Sequence, residues 1–255
     1  MTQYAMVIDL QKCSGCGACG VACKNGNNTA PYSNGQTHNW ADYLPEVKGT
    51  FPNAKYTNRP VLCNHCTDAP CVAACPVSPK AMFKTDDGIT MHNDERCIGC
   101  RMCQNACPYS KSEVAPDSED YSVISYNEGG KPYNAHYADK TEMIKGCTSS
   151  GDEMSKKAGA YPPDKMAYDH PDYDDVRRGG IVEKCIFCEH RVKNGELPNC
   201  VVACPAQART FGDISNPSSE VAQLVKKYED TVEVLKPDAG TKPNVFYVRE
   251  YSVRK

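Results

Sequence analysis

The sequence is poor in the side chains that build an ordinary hydrophobic core. Its 255 residues include one Trp, five Phe and only 8% aromatic residues in all. The mean hydropathy is −0.59. We therefore expect the chain to rely on cross-links or bound metal, because metal-binding free energy becomes folding free energy when the unfolded chain has no site.

Three further features that the sequence lacks argue against particular classes of function. No segment approaches the ~20 apolar residues that span a bilayer. Residues 1–13 lack the charged and apolar regions of a signal peptide, and a net charge of −3 gives no basic footprint for nucleic acid. We expect no direct membrane span and no nucleic-acid partner, and we expect any membrane attachment to come through a partner protein.

The sequence also lacks the motifs of substrate chemistry. It has no nucleotide-binding fingerprint, no nucleophile elbow and no evident acid–base pair. We therefore predict that the chain is not itself an enzyme, and that its function lies in what it binds.

Cysteine is the residue that the sequence has in excess. Sixteen of the 17 cysteines fall into four groups of four. The spacings are C-x2-C-x2-C-x3-C in groups one and three, C-x2-C-x4-C-x3-C in group two and C-x2-C-x11-C-x3-C in group four. In chain order, the groups are Cys13, Cys16, Cys19 and Cys23; Cys63, Cys66, Cys71 and Cys75; Cys97, Cys100, Cys103 and Cys107; and Cys185, Cys188, Cys200 and Cys204.

These spacings favour iron–sulfur clusters. A C-x2-C-x2-C-x3-C-P run is the ligand pattern of bacterial-type [4Fe–4S] clusters, whose fourth cysteine binds the neighbouring cluster. Pro76, Pro108 and Pro205 follow the last cysteines of groups two, three and four. Four such groups predict four [4Fe–4S] clusters and a chain that carries electrons.

Structural zinc is the alternative, since C-x2-C pairs are common in zinc sites with four cysteine ligands. A run of four cysteines as tight as groups one and three is unsuited to one tetrahedral ion. Group four is ambiguous by itself because of its long gap. Its Cys-Val-Val-Ala-Cys-Pro ending matches the Cys-Val-Ala-Ala-Cys-Pro of group two, and this again favours iron–sulfur.

The separation of the groups along the chain predicts how they pair. Groups two and three lie close together, as within a two-cluster ferredoxin, which leaves group one to pair with group four. Sequential pairing, one with two and three with four, is the alternative. The nested pairing predicts four ligand sets, in which the fourth cysteine of each group crosses over: set A is Cys13, Cys16, Cys19 and Cys204; set B is Cys185, Cys188, Cys200 and Cys23; set C is Cys63, Cys66, Cys71 and Cys107; set D is Cys97, Cys100, Cys103 and Cys75.

The predicted fold class is α+β, with two interlocked ferredoxin-like modules that each hold two [4Fe–4S] clusters. Residues 1–58 and 180–255 form one module, residues 59–111 form the inserted module, and residues 112–179 form an irregular insertion that could dock a partner. A second irregular insert is expected from Asn25 to Asn58. Strands are expected at 4–8, 59–62, 88–92 and 244–251, a short helical turn after the third cysteine of each group, and a capped helix over 218–228.

Several other residues lie near the predicted ligands. Five basic side chains could raise the reduction potential of the nearest cluster, or could simply be solvated surface charges: Lys12, Lys24, Arg101, Lys184 and Arg191. Cys147 lies outside every group and is expected to be a plain thiol. His65 and His190 lie within groups two and four but are not expected to bind metal, since every group already has four cysteines.

With these motifs the sequence resembles the four-cluster iron–sulfur (beta) subunits of molybdopterin oxidoreductases of the dimethyl sulfoxide reductase type. The resemblance covers residues 1–110 and 180–255. The stretch between groups three and four looks longer than in many members of that family. The segments most similar to the arsenate, polysulfide and thiosulfate reductase branch are Met6–Cys13, Gly49–Pro52, Leu62–Cys66, Cys97–Cys100 and Lys184–Cys188.

The resemblance implies a non-catalytic subunit that relays electrons between a quinol- or cytochrome-linked donor and a catalytic subunit. That partner would carry molybdopterin guanine dinucleotide and reduce an oxyanion or a sulfur compound. A membrane anchor subunit or a soluble cytochrome is implied on the donor side. Co-export with a signal-bearing catalytic partner implies a periplasmic location, with a cytoplasmic one as the alternative. The same relay in a formate dehydrogenase or hydrogenase complex is the alternative function.

Overall fold

A computed structural model describes residues 1–27, 29, 39–110, 121–128, 140–142, 144–158 and 179–251. Its elements are short. The strands are β1 (Tyr4–Asp9), β2 (Ala41–Lys48), β3 (Lys55–Leu62), β4 (Met82–Lys84), β5 (Thr90–His92), β6 (Ile124–Asn127), β7 (Ile181–Lys184), β8 (Arg209–Asp213) and β9 (Val245–Val248). The helices are α1 (Ala18–Gly26), α2 (Pro70–Ala73), α3 (Met102–Ala106), α4 (Gly151–Ala158), α5 (Glu189–Val192), α6 (Asn199–Val202) and α7 (Glu220–Lys227), with a 3-10 turn at Pro237–Ala239. This mixture confirms the coarse α+β prediction.

Four of the short helices carry the third cysteine of a group, as the spacing predicted. They are α1, α2, α3 and α6. Backbone in the left-handed region precedes two of them, at Gly17 (φ 82°) and Arg101 (φ 60°). Pro70 opens α2, where its missing N–H costs no hydrogen bond. Each helix therefore starts from the cysteine loop itself, which fixes the loop against the helix.

Strand β1 joins the two ends of the chain in one sheet of order β8-β1-β9. It runs antiparallel to β8 and parallel to β9, and Ile8 lies opposite Arg209 on one side and Tyr247 on the other. Residues at the start of the chain are thereby held against residues after group four. Strands β4 and β5 form a hairpin between groups two and three.

Two predicted irregular stretches contain regular structure. The insert expected over Asn25–Asn58 was wrong in part, because β2 lies within it and pairs with β3 along its whole length. The stretch 112–179 contains β6, which pairs with β7, and helix α4. Alternation of apolar and polar side chains is weak in both strands, so the sequence pattern hardly indicates them. Residues 112–120, 129–139, 143 and 159–178 of this stretch lie outside the described residues.

The core is built around the cysteines. One cluster of buried side chains includes most of the cysteines together with β1, β5 and β7 residues. A smaller cluster packs α7 against the sheet through Val221, Ala5, Val7 and Val248. Ser219 caps α7 by accepting a hydrogen bond from the Ala222 N–H, which confirms the predicted capped helix.

Candidate metal centres

Three cavities are each lined by four cysteines, three from one group and one from another. Each borders about 300 to 340 Å³ of space free of protein atoms, part of it open to solvent. The cysteines that line them are Cys13, Cys16, Cys19 and Cys204 in the first; Cys63, Cys66, Cys71 and Cys107 in the second; and Cys75, Cys97, Cys100 and Cys103 in the third. These are the members of sets A, C and D.

Cys23 and Cys200 of set B lie on α1 and α6, which pack together, and Cys188 and Cys185 lie near enough to interact electrostatically with Cys23. The Asn27 side-chain amide lies 3.5 Å from Cys23 Sγ and 3.6 Å from Cys188 Sγ, so it joins group one to group four. Burial raises the pKa of Cys23, and the neighbouring thiols of Cys200 and Cys188 raise it further. The structure thus brings the fourth cysteine of group one to group four.

The thiols surround space and do not converge on a point. All 17 cysteines lie in the described residues, and each is a free thiol. Among the described residues, no group of three or more His, Cys, Asp or Glu side chains is arranged to hold a single metal ion. A cubane takes its thiolates at four separate corners, so four thiols spaced around a cavity are the donor arrangement that it requires.

Backbone and side-chain donors point at several of the sulfurs. The N–H groups of Ala208, Gly99 and Phe187 lie 3.2, 3.4 and 3.4 Å from the Sγ atoms of Cys204, Cys97 and Cys185 respectively. Tyr43 Oη lies 2.7 Å from Cys19 Sγ. Hydrogen bonds of this kind stabilise thiolate sulfur and are among the factors that set cluster potentials.

Gly99 shows why one of these loops requires glycine. Its φ is +67°, which favours glycine. A Cβ at this position would lie 2.1 Å from the carbonyl oxygen of Gly180. The loop between Cys97 and Cys100 therefore approaches the backbone before β7 as closely as it does only because residue 99 has no side chain.

Burial dominates the ionisation of the thiols. It raises the pKa of Cys66 to about 11, of Cys71 to about 12 and of Cys200 to about 11. Neighbouring thiols add to this, because a second thiolate nearby disfavours ionisation. Metal binding has to displace these protons, so the sets are suited to a soft cation whose strong sulfur bonds offset the cost of deprotonation.

His92 modifies this pattern beside Cys97. The imidazole is buried, and its Nδ1 lies 3.0 Å from Asp94 Oδ1. Burial alone would lower the pKa of His92, but hydrogen bonds to Asp94 and Cys97 raise it to about 9. Burial would raise the pKa of Cys97, yet the His92 partner lowers it. Set D therefore contains one thiol that ionises more readily than usual.

The sets differ in depth. Cys16 of set A and Cys100 of set D are exposed, whereas every cysteine of sets B and C is buried. Thiols of successive sets lie close enough to affect each other's pKa: Cys19 and Cys200 link A to B, Cys185 and Cys63 link B to C, and Cys71 and Cys103 link C to D. We refer to this order of neighbouring sets, A-B-C-D, as the row.

His65 and Phe187 form the contact between sets B and C. Their rings stack with centroids 3.6 Å apart, and both residues have left-handed backbone, with φ 43° and 53°. Burial and the nearby charges of Lys184 and Lys84 hold the pKa of His65 well below its usual value, so the ring is neutral. The residue between the first two cysteines of group two thus packs directly on the matching loop of group four.

Of the five basic residues singled out near the predicted ligands, one is fully buried. Lys184 is 1% exposed, and its ammonium donates to the carbonyls of Thr90 and Cys185. Its charge opposes the burial-driven rise in the pKa of Cys185 and Cys71. The others are at least partly exposed: Lys12, Lys24, Arg101 and Arg191.

Sequence reasoning missed four side chains that contact the cysteines. They are Asn27, Tyr43, His92 and Arg209. Tyr43 reaches set A from β2, which lies outside the cysteine groups, and Arg209 begins β8, five residues after Cys204. The spacing within the cysteine groups carried no signal for either side chain. Asn27 lies one helical turn after Cys23, and that spacing alone could have pointed to it.

Cavities lined by four thiols in this pattern are typical of an iron–sulfur, electron-transferring class of protein. A 4Fe-4S dicluster domain family model matches residues 54–123 and 152–214. The arsenate respiratory reductase iron-sulfur subunit ArrB of Shewanella sp. (strain ANA-3) is 43% identical over 99% of this chain and 98% of its own length.

Other relatives serve different reductases. A selenate reductase subunit of Mesobacillus selenatarsenatis is 33% identical over 96% of this chain and 72% of its own length. A tetrathionate reductase subunit of Salmonella typhimurium is 31% identical over 96% and 72%. The chain therefore belongs to the 4Fe–4S dicluster family of iron–sulfur subunits of respiratory reductases.

Membership confirms the predicted resemblance and the predicted role as an electron-transfer subunit within an oxidoreductase complex. In the part of the chain that the structure describes, no helix is both long enough and apolar enough to cross a bilayer.

Proposed function

We propose that the chain holds four [4Fe–4S] clusters in sets A to D, and that it relays electrons along them in that order. When bound, each cluster supplies a one-electron redox centre. The observation that carries the proposal is that three cavities each combine three cysteines of one group with one cysteine of its nested partner. This supports the nested pairing and two modules, 1–58 with 180–255 and 59–111.

The exposure of individual residues distinguishes the two ends of the row from its middle. The exposed Cys16 and Cys100 place sets A and D near the surface, where electrons can be exchanged with partners. The His65–Phe187 stack packs set B against set C. Exposed Ile98 and Met102 flank Cys100, so the D end offers apolar surface beside its ligand.

Matched serine substitutions test the pairing. In the nested scheme Cys23 and Cys185 serve one cluster, whereas sequential pairing puts Cys23 with Cys63. We expect Cys23→Ser and Cys185→Ser to alter the same one of four electron paramagnetic resonance (EPR) signals in the reduced protein, and Cys63→Ser to alter another. The nested pairing would be overturned if Cys23→Ser and Cys63→Ser altered the same EPR signal.

We propose that the catalytic partner is a molybdopterin subunit that reduces arsenate or a related oxyanion. The support is that ArrB matches over almost the whole of both chains at 43% identity, while the selenate and tetrathionate reductase subunits match at 33% and 31%. The test is to purify the native complex through a tag on this chain, reduce it, and add oxyanions one at a time. Reoxidation by arsenate but not by tetrathionate is the expected result, and the reverse preference would contradict it.

On the donor side we propose a quinol-linked membrane anchor or a soluble cytochrome, with the complex in the periplasm. The support is the respiratory character of the relatives. Fractionation of native cells tests the location: the chain should co-fractionate with the catalytic subunit in the periplasmic or membrane-associated fraction. Recovery of both subunits in the cytoplasm would contradict this part of the proposal. The proposed docking role of residues 112–179 stays a prediction.

A further inference from the structure

Arg209 is a buried side chain at the edge of set A. It is the first residue of β8, lies opposite Ile8 of β1, and is 4% exposed. It lines the same cavity as Cys13, Cys19 and Cys204. Its position is fixed by the sheet that joins the two ends of the chain, so the guanidinium is held beside the cysteines by backbone pairing.

The charge of Arg209 has no carboxylate partner among the described residues. Its Nη1 lies 3.5 Å from Met6 Sδ, a weak acceptor, and its Nη2 is buried with no hydrogen-bond partner. A buried guanidinium remains charged and is costly unless an opposite charge compensates it. The buried guanidinium therefore requires a negatively charged group beside it.

The acidic groups that face Arg209 are thiols and phenols. Burial alone would lower the pKa of Arg209, but the neighbouring Cys200 and Cys19 raise it, with smaller contributions from Tyr247 and Tyr43. In return, the guanidinium opposes the burial-driven rise in the pKa of Cys13 and Cys23. Cys13 and Cys19 belong to set A, and Cys23 and Cys200 belong to set B. Arg209 therefore lines the cavity of set A and interacts electrostatically with cysteines of both sets.

We propose that Arg209 is a positioning residue that sets the reduction potential of the centres held by sets A and B. Its fixed positive charge is the counter-charge to their thiolates and favours the reduced state of both. The inference rests on the proposed function, because it requires clusters in these two sets. In the reduction step one electron is added, no bond forms or breaks, and no proton moves, since the guanidinium stays protonated throughout.

The test is an EPR-monitored redox titration of the full chain with dithionite as the reductant. Arg209→Met removes the charge and keeps an apolar side chain of similar length beside Met6. We expect two of the four midpoint potentials to fall by at least a tenfold change in the one-electron equilibrium, about 59 mV. Arg209→Lys, which keeps the charge, should restore most of this shift.

Lys12→Met is the matched control. Lys12 is exposed and precedes the set A ligand Cys13. We expect less than about a threefold change in the same equilibrium, because solvent screens exposed charges. A shift in Lys12→Met as large as that in Arg209→Met would overturn the proposal, because an exposed charge would then change the midpoint potentials as much as a buried one.

The other possible results also support or contradict the proposal. Unchanged midpoints in Arg209→Met with the iron content of the unsubstituted chain would contradict the proposal while leaving the four clusters intact. If Arg209→Met loses iron, the iron contents of Arg209→Lys and Arg209→Gln are compared. Retention of iron by Arg209→Lys but not by Arg209→Gln supports a requirement for positive charge. Equal iron contents in these two variants contradict that requirement. Fewer than about sixteen irons in the unsubstituted chain would instead count against the proposed function.

Discussion

The two ends of the row and its middle differ in how they meet water. Sets A and D each contain an exposed cysteine, Cys16 or Cys100. Sets B and C contain only buried cysteines and are joined by a ring stack. We propose that the outer sets exchange electrons with partners and that the inner sets hold the two proposed modules together. The same four-cysteine motif would then serve two purposes at two depths.

Two buried positive charges lie beside the cysteines. Lys184 interacts electrostatically with Cys185 of set B and Cys71 of set C, whereas Arg209 lines the cavity of set A and interacts with Cys200 of set B. In the interior the thiolates lose stabilisation by water, so the protein supplies fixed cations instead. Near the surface, water and mobile ions can do this. The other four predicted basic residues are at least partly exposed.

The largest effect is expected from loss of an inner ligand. Cys66 and Cys100 are both the second cysteine of their group, but Cys66 is 8% exposed and Cys100 is exposed. We expect Cys100→Ser to lose no more than about four irons per chain, one cluster's share. Cys66→Ser should lose more, because the inner site supports both modules. Iron analysis and thermal unfolding measure the difference. Equal losses of iron and of thermal stability in the two variants would show that the inner and outer sets contribute equally to the folded protein.

The ring stack between the inner sets gives the next largest effect. Phe187 is 1% exposed, whereas Phe51, at the turn between β2 and β3, is 93% exposed. We expect Phe187→Ala to destabilise the protein by about 3–5 kcal/mol, as for other buried Phe residues. Phe51→Ala, the control, should stay within about 0.5 kcal/mol. Chemical denaturation of the cluster-loaded protein measures both, and similar values would show that the inner joint is not a structural support.

A smaller effect is expected from the inner charge. Lys184 and Lys24 each adjoin a cysteine of set B, Cys185 and Cys23, but Lys184 is buried and Lys24 is half-buried. Lys184→Met should lower the potentials of the inner centres by about a tenfold change in the one-electron equilibrium, or about 59 mV. Lys24→Met should change them less. If the order of the two shifts were reversed, burial would not be what gives the charge its effect.

The smallest effect is a difference in rate within the unsubstituted protein. An iron chelator reaches sets A and D through their exposed cysteines, whereas protein covers sets B and C, whose iron leaves only after local opening. Iron release should therefore have two phases of about equal amplitude, with the fast phase about threefold to tenfold faster. Absorbance of the iron–chelator complex follows the release. A single phase would mean that the outer and inner sites open together.

Much of the site was predictable because cysteine spacing encodes which sulfurs a loop can bring together. The groups, the short helices after their third cysteines and the Ser219-capped helix α7 all follow from local pattern. The hairpin β2–β3 did not, since Ala41–Lys48 lacks clear alternation and its pairing is fixed by tertiary contacts. Arg209 was missed although it lies five residues after Cys204, because the cysteine spacing does not indicate which flanking side chains are buried. The nested ligand sets themselves stay predictions that the cavities support.

Iron and acid-labile sulfide per chain are the most direct measure of the central claim, that sixteen cysteines hold four cubanes. The anaerobically purified chain should contain about sixteen irons and about sixteen sulfides, four of each per cluster. About eight of each would contradict the account by leaving two of the four sets without a cluster, and zinc in place of iron with no sulfide would contradict it entirely.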